Sequence, residues 1–392
     1  MKNSPYFYSG NFGLERETLR VDKNGRLSVT PHPFDSKHIT RDFCENQIEI
    51  ITPVCGSIDE MLDKLEKLDS EAGAVLDTIG ERIWLYSNPP HFESENDIPI
   101  AAFDGEQSSK RSYREKLQRR YGKRLMLFSG IHFNFSFGDD LLHDLHKGSA
   151  LTFGEFRDGL YLRLYKQLSR YSWLLVLLTA ASPVYDLSLD ENYAEGVVLS
   201  RYSSMRNSER GYWNEFIPVL DHTDLRTYTE SIQNYVNKGM LFSPSELYLP
   251  IRMKPRGANT LQNLAENGVD HIELRMFDLN PLEPLGINRS DLKFAHLLIL
   301  YLISLDDFEY TEQLQYEAVE NHRSAALYDL RGITVSGRDI IGSARDILDS
   351  MKSFFSSDKS ALNIIDYELG KLANGGKRVC ERVIKRQLLD VL

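Results

Sequence analysis

A glycine-rich phosphate loop is missing from this chain of 392 residues. The nearest run, Gly375-Gly376-Lys377-Arg378, has neither the spacing nor the Ser or Thr of a Walker A sequence, and no G-x-G-x-x-G follows a strand. A bound nucleotide would therefore be held by metals, Arg and Lys. Paired cysteines and an H-E-x-x-H are absent, so a zinc site is not indicated. No G-x-S-x-G elbow suggests a serine hydrolase. The three cysteines, Cys44, Cys55 and Cys380, are too few and of odd number for a disulfide framework and suit a reducing compartment. Met1 to Gly13 has no apolar signal core. The greasiest runs, Trp173–Ala181 and Ala295–Leu305, fall short of the roughly 20 residues that span a bilayer. They read as buried helices, and a cytoplasmic protein with no membrane partner is expected. Linkers, repeats and low-complexity stretches are lacking too. One domain over 1–392, or two intimately built lobes, is expected. Positive charge is in deficit: the formal net charge is −11. Nucleic-acid binding runs on Lys and Arg, so that class is excluded. Local basic runs at Lys110–Arg114 and Arg119–Arg124 fit either a solvated helix face or a small phosphorylated ligand.

What is present is ordinary globular composition, 42% hydrophobic and 26% charged, in a chain long enough to bury a large core. Strand patterns gather in the first part. They cover Phe12–Val21 with an Asn24-Gly25 turn into Arg26–Thr30, Phe43–Thr52, Leu125–Phe137, Tyr248–Met253 and His271–Asp278. Ser57 with Glu60 three residues on is a capping box for a helix, whose apolar positions run Met61, Leu62, Leu65, Leu68, Ala72. A long helix is predicted over Phe156–Ala181, and helices from Asp291 to the end. Strands early and helices late predict an α+β fold with a mostly antiparallel sheet.

Side chains alternate faces along a strand. Glu15 and Glu17 then share a face, as do Glu45, Gln47 and Glu49. Ile131, Phe133, Phe135 and Phe137 form one apolar face, with His132, Asn134 and Ser136 opposite. His271, Glu273 and Arg275 face away from Ile272 and Leu274. A solvated outer face explains each strand singly. Taken together the faces are dominated by Glu, where surface strands carry Lys, Thr and mixed charge. Converging carboxylates repel unless cations neutralise them. Oxygen ligands with one imidazole suit Mg²⁺ or Mn²⁺.

Six runs carry a family resemblance. They are Phe12-Gly-Leu-Glu-Arg-Glu-Thr-Leu-Arg20, Thr40-Arg-Asp-Phe43, Glu49-Ile-Ile-Thr-Pro53, Ser129-Gly-Ile-His-Phe-Asn-Phe-Ser136, Glu246-Leu-Tyr-Leu-Pro-Ile-Arg252, and Ile272-Glu-Leu-Arg275 through Asp278-Leu-Asn-Pro281. In this order, over about 10–285, the chain resembles bacterial glutamate–cysteine ligase; the helical part over about 290–392 matches weakly. The resemblance implies a glutamine-synthetase-like fold, a curved sheet forming a funnel with ATP at one end and amino acids at the other. It implies metal ligands Glu15, Glu17, Asp42, Glu49, His132 and Glu273, of which Asp42 comes from the resemblance alone. It places catalytic Arg275 against the transferred phosphoryl group, and Arg252 and Lys254 with it at the ATP phosphates. Arg206, Tyr212 and Tyr248 match the acceptor pocket, and Tyr113 and Arg114 match substrate positions. Met126 stands where the family commonly has Gln, which bears on which acceptor side chain is taken. No ATP-grasp half accompanies these runs, so the expected product is a γ-glutamyl dipeptide and not glutathione.

The activity so implied is ATP- and Mg²⁺-dependent ligation of the glutamate γ-carboxylate to the α-amine of cysteine through a γ-glutamyl phosphate. Three readings compete: the same chemistry with another acceptor, a two-metal phosphohydrolase, and a non-catalytic ligand-binding protein. The intact set of six ligands plus Arg275 speaks against the last.

Overall fold

The computed structural model describes residues 2–103, 108–190, 196–373 and 377–391; part of the Gly375–Arg378 run lies outside them. In chain order the elements are β1 (Gly10–Val21), β2 (Ile39–Arg41), β3 (Gln47–Ile51), α1 (Ile58–Thr78), β4 (Arg82–Trp84), α2 (Ser108–Tyr121), β5 (Ile131–Phe137), α3 (Asp139–His146) and α4 (Phe153–Thr179). There follow β6 (Val184–Asp186), β7 (Val197–Leu199), α5 (Leu225–Asn237), β8 (Ile251–Lys254), α6 (Leu261–Asn267) and β9 (His271–Phe277). The chain continues through α7 (Arg289–Leu302), α8 (Glu312–Ala325), β10 (Thr334–Val335), β11 (Arg338–Asp339), α9 (Ile340–Phe354), α10 (Lys359–Lys371) and α11 (Val379–Val391).

Seven strands pair in the order β2-β3-β1-β5-β9-β8, with β4 added to the end of β1. Every pairing in this sheet is antiparallel, and the fold is α+β as expected. The apolar face carries Phe12, Leu14, Ile50, Ile131, Phe133, Phe135, Ile272 and Leu274, buried against α1, α4 and α7. Burying such side chains stabilises by about 1.5–3 kcal/mol each, which is why the sheet presents this face inward. The opposite face is left to polar residues. Arg16 is an exception: fully buried on the apolar side, it is neutralised by Asp69 and donates to the carbonyl of Leu285 at 3.1 Å. The greasy runs are the buried end of α4 and most of α7, and no helix among the described residues is long and apolar enough to cross a membrane. All three cysteines are free and buried.

Several expected boundaries move. The strand expected at Phe43–Thr52 starts only at Gln47, because residues 42–46 form a turn closed by Gln47 N–H donating to the Cys44 carbonyl at 3.1 Å. The strand expected from Leu125 starts at Ile131, since Leu125–Leu127 is a 3₁₀ turn. The stretch 26–30 makes one bridge, Val21 to Leu27, and no strand. Ser57 does cap α1, accepting from Glu60 N at 3.1 Å, but the Glu60 carboxylate takes Gly56 N–H and the box is incomplete. The hairpin β10-β11 interrupts the C-terminal helices.

Candidate active site

Register brings the carboxylates together. On the polar face, Glu17 stands opposite Glu49 across β1 and β3. Glu15 stands opposite His132 across β1 and β5, and Arg252 opposite Glu273 across β8 and β9. Between β5 and β9 the register slips: Ile131 pairs with Phe277 but Phe133 with Leu274. Two residues, Arg275 and Met276, thus face His132 alone, a bulge of the kind that re-aims a side chain beside a site. Past the bulge Met276 and Phe277 both enter the core, and Arg275 stays on the cavity side.

A cavity of about 220 Å³ opens over this face. All fifteen residues named from the sequence line it: Glu15, Glu17, Asp42, Glu49, His132 and Glu273; Arg275, Arg252 and Lys254; Tyr113, Arg114, Met126, Arg206, Tyr212 and Tyr248. Five others expected on the polar strand faces do not: Glu45, Gln47, Asn134, Ser136 and His271. The Glu45 carboxylate accepts from the backbone N–H groups of His32 (3.0 Å) and Ala102 and pairs with Arg41 at 3.0 Å. It belongs to the turn and not to the strand. His271 and Ser136 line a second cavity of about 440 Å³. There His271 Nδ1 meets Asp270 at 3.0 Å. Glu15 lines both cavities.

At the centre, His132 Nδ1 lies 3.3 Å from Glu15 and 3.8 Å from Glu273, and its Nε2 lies 3.6 Å from Glu17. One ligand atom each from Glu15, His132 and Glu273 falls within 4.8 Å of the others. Asn134 donates to Glu15 at 3.2 Å. Lys254 Nζ sits 2.5 Å from Glu273 and 3.3 Å from Glu15, and Arg275 Nη1 lies 2.9 Å from the second oxygen of Glu273.

Cations are shared unevenly among the five carboxylates. Burial raises the pKa of Glu273, but Lys254, Arg275 and His132 outweigh it and hold the group well below the usual carboxylate range. Burial and Glu273 likewise raise Glu15, yet His132 and Lys254 leave it lowered. Glu49 makes no such ion pair among the described residues, and the pull of Lys254 on it is outweighed. Burial first, then Glu15, Asp42 and Glu17, push its pKa well up. Glu17 is also raised, by burial and by Asp42, even against the pull of His132, Arg206 and Arg275. The cluster is thus short of positive charge on the Glu17–Glu49 side. Hard oxygen donors with one imidazole, lacking cations on one flank, fit a divalent ion such as Mg²⁺.

The other end of the cavity is built from helix and loop. The helix α2, which holds both basic runs of the sequence up to Tyr121, turns Tyr113, Arg114 and Leu117 inward. Arg114 donates to the Asp42 carbonyl at 2.5 Å, and Arg120 is tied to the fully buried Glu246 at 2.5 Å. The solvated alternative holds only for outer residues such as Arg111, paired with Glu115. Met126 is 2% exposed and packs with Phe43, Leu117 and Tyr248. The rings of Tyr212 and Tyr248 lie 4.2 Å apart, and the Tyr248 hydroxyl, though buried, has no partner of good geometry among the described residues. Arg206 donates to the carbonyls of Arg275 (2.9 Å) and Phe277 (3.1 Å). Sequence reasoning missed Gly130: a Cβ there would come within 2.3 Å of the Arg206 guanidinium carbon. A glycine between two strongly patterned polar and apolar positions was the available signal.

Known proteins compare as follows. The family profile for glutamate-cysteine ligase matches residues 1–239 and 217–325. The glutathione biosynthesis bifunctional protein of Listeria monocytogenes is 40% identical over 348 residues, covering 85% of this chain and 45% of that protein. The glutamate–cysteine ligase of Clostridium acetobutylicum is 33% identical over 376 residues, covering 81% of this chain and 76% of that one. Among solved structures, the bifunctional glutathione synthetase of Pasteurella multocida matches with a TM-score of 0.85 at 27% identity, over 97% of this chain and 50% of that chain. Francisella tularensis glutamate–cysteine ligase, solved in complex with AMP, matches with a TM-score of 0.84 over 96% of this chain and 84% of that one. At 24% identity this second likeness speaks for the fold alone. The chain spans about half the length of the bifunctional relatives it matches.

Proposed function

This chain belongs to the glutamate–cysteine ligase family, and from that premise we propose that it acts in the cytoplasm as one catalytic unit joining the γ-carboxylate of glutamate to the α-amine of cysteine, using ATP and Mg²⁺. The observation that carries the reading is the division of one cavity into two chemistries. A carboxylate–imidazole cluster with Arg275, Arg252 and Lys254 occupies one end, and an aromatic pocket with Arg206 the other.

In this reading Glu15, Glu17, Asp42, Glu49, His132 and Glu273 would hold a divalent ion, which would supply neutralisation of the phosphate charge. The nucleoside rests in the second cavity, which meets the first at Glu15. The γ-carboxylate oxygen of glutamate attacks the γ-phosphorus, and ADP leaves. Phosphoryl transfer needs alignment and charge more than covalent help. Arg275, already aimed by its ion pair to Glu273, offsets the charge that grows on the phosphoryl oxygens. Lys254 and Arg252 flank it from β8. The acceptor amine then attacks the acyl carbonyl and phosphate departs.

Arg206 is the natural partner for the acceptor's carboxylate, because guanidinium and carboxylate pair bidentately. Tyr113, Tyr212, Tyr248 and Met126 surround its side chain, with Arg114 at the rim. The buried Tyr248 hydroxyl offers one polar contact to a thiol. Met126 offers none, so small apolar amino acids compete with cysteine here. Release of ADP from ATP, measured with glutamate, Mg²⁺ and each amino acid in turn, tests the reading. Release that needs both glutamate and an acceptor supports it. Release without an acceptor would favour a hydrolase, and no release in any mixture a binding protein.

A further inference from the structure

The loop that follows β7 carries both Arg206 and Tyr212, and the groups that hold it lie beneath the cavity. Asn207 points away from the cavity. Its Nδ2 donates to the Met276 carbonyl and to Ser204 Oγ, both at 2.8 Å. Ser204 Oγ in turn donates to Asp278 at 2.8 Å. With its NH₂ committed to a carbonyl, Asn207 must present Oδ1 as an acceptor on the other side. There it meets His322 Nε2, on α8, at 3.1 Å. His322 therefore carries its proton on Nε2, and Nδ1 lies 2.9 Å from Ser172 Oγ of α4, a hydroxyl shared with the Ser169 carbonyl at 3.1 Å. Every polar atom of the ring is used. The imidazole is 1% exposed, and burial, with Arg206 and Arg323 near, pushes its pKa down to about 3, so it stays a neutral donor.

The same helix holds the far side of the loop. The His322 ring meets the edge of Trp213 at 5.4 Å, and the Arg323 guanidinium lies 4.5 Å over the Trp213 ring. Trp213 Nε1 donates to the Ser208 carbonyl at 2.7 Å. Arg206 and Tyr212, which face the cavity, are thus each followed in the chain by a residue locked to α8.

We propose that His322 and Asn207 form a positioning pair that sets the Arg206 guanidinium for the acceptor's carboxylate, so that the C-terminal helical part of the chain governs acceptor affinity. His322 does not line the cavity, so it acts through the loop and touches no substrate. Gly130 supplies the opposite wall of the same groove, which leaves Arg206 no room to shift toward β5 if its rear support is lost. The proposal rests on the acceptor end assigned above.

The test separates KM values. His322→Phe keeps a ring against Trp213 and removes the donor to Asn207; His322→Gln returns an amide donor. KM for ATP, glutamate and cysteine, kcat and Tm are measured for the full chain of each variant. A displaced binding group costs about 10- to 100-fold, so the KM for cysteine should rise by that factor in His322→Phe. The KM values for ATP and glutamate should stay within about twofold, and His322→Gln should recover part of the loss. Equal shifts in all three KM values, or an unchanged cysteine KM in an active variant, overturn the proposal. If His322→Phe does not fold, His322→Gln and Asn207→Ser carry the same comparison; failure of all three to fold overturns it in favour of a purely structural pair. A wild-type chain without acceptor-dependent ADP release overturns the functional reading, and the positioning role with it.

Discussion

Replacing Glu49 by Gln sets a gain in stability against a loss of function. Glu49 stands directly across from Glu17, and directly opposed residues in antiparallel strands have Cβ atoms about 4.5–5.5 Å apart. Two carboxylates about 6 Å apart repel by about 3 kcal/mol at an effective dielectric of about 20. Glu15 and Asp42 add to this, and together with burial they hold the Glu49 pKa well above its unfolded value near 4.5. A group raised in this way supports folding only while protonated. Its contribution is complete below the unfolded pKa and is lost as pH rises through the folded one. Gln has no proton to lose. In EDTA at pH 8, Glu49→Gln should therefore be more stable than wild type by about 1–3 kcal/mol, and the gap should close near pH 4.5. With an unfolding entropy of about 2.1 cal/mol/K per residue over 392 residues, that is a rise in Tm of roughly 1–4 °C. Adding Mg²⁺ and ATP should reverse the order, because ligand binding stabilises wild type by mass action and the variant less. Turnover should fall in parallel. Differential scanning calorimetry across pH, with and without metal, reads all of this. A variant less stable than wild type in EDTA at pH 8, or one with an unchanged Mg²⁺ response, would refute the reasoning.

Other outcomes follow from the same geometry. Arg275→Ala should lower kcat by about 10²- to 10³-fold with a smaller change in the KM for ATP, and Arg275→Lys should recover only part, lacking the planar fork; near-normal turnover with a lowered Tm would make Arg275 structural. Met126→Gln should move the kcat/KM ratio of cysteine over 2-aminobutyrate toward cysteine, by restoring a polar contact in the wall around Tyr248; an unchanged ratio sinks this account of the pocket. EDTA should abolish activity and Mg²⁺ restore it, and full turnover in metal-free buffer would remove the metal from the scheme.

The alternation of β1, β5 and β9 was legible because a strand's two-residue period is local geometry. Once Phe133 and Phe135 are buried, His132 and Asn134 must face the other way. The same rule separated Glu15 and Glu17 from Leu14, and Glu273 from Leu274. It failed for Glu45, because whether residues 42–46 extend or turn depends on Arg41, His32 and Ala102, all outside that segment. Nor could it show the bulge at Arg275, the turn that brings Met126 to the cavity, or the partnership of Asn207 with a histidine 115 positions away. The chain by itself determined which face of each strand is polar and which ligand types that face offers. Strand order and register decided that Glu17 meets Glu49 and Glu15 meets His132, because those pairings join segments distant in sequence and are selected only when the whole apolar face is buried at once.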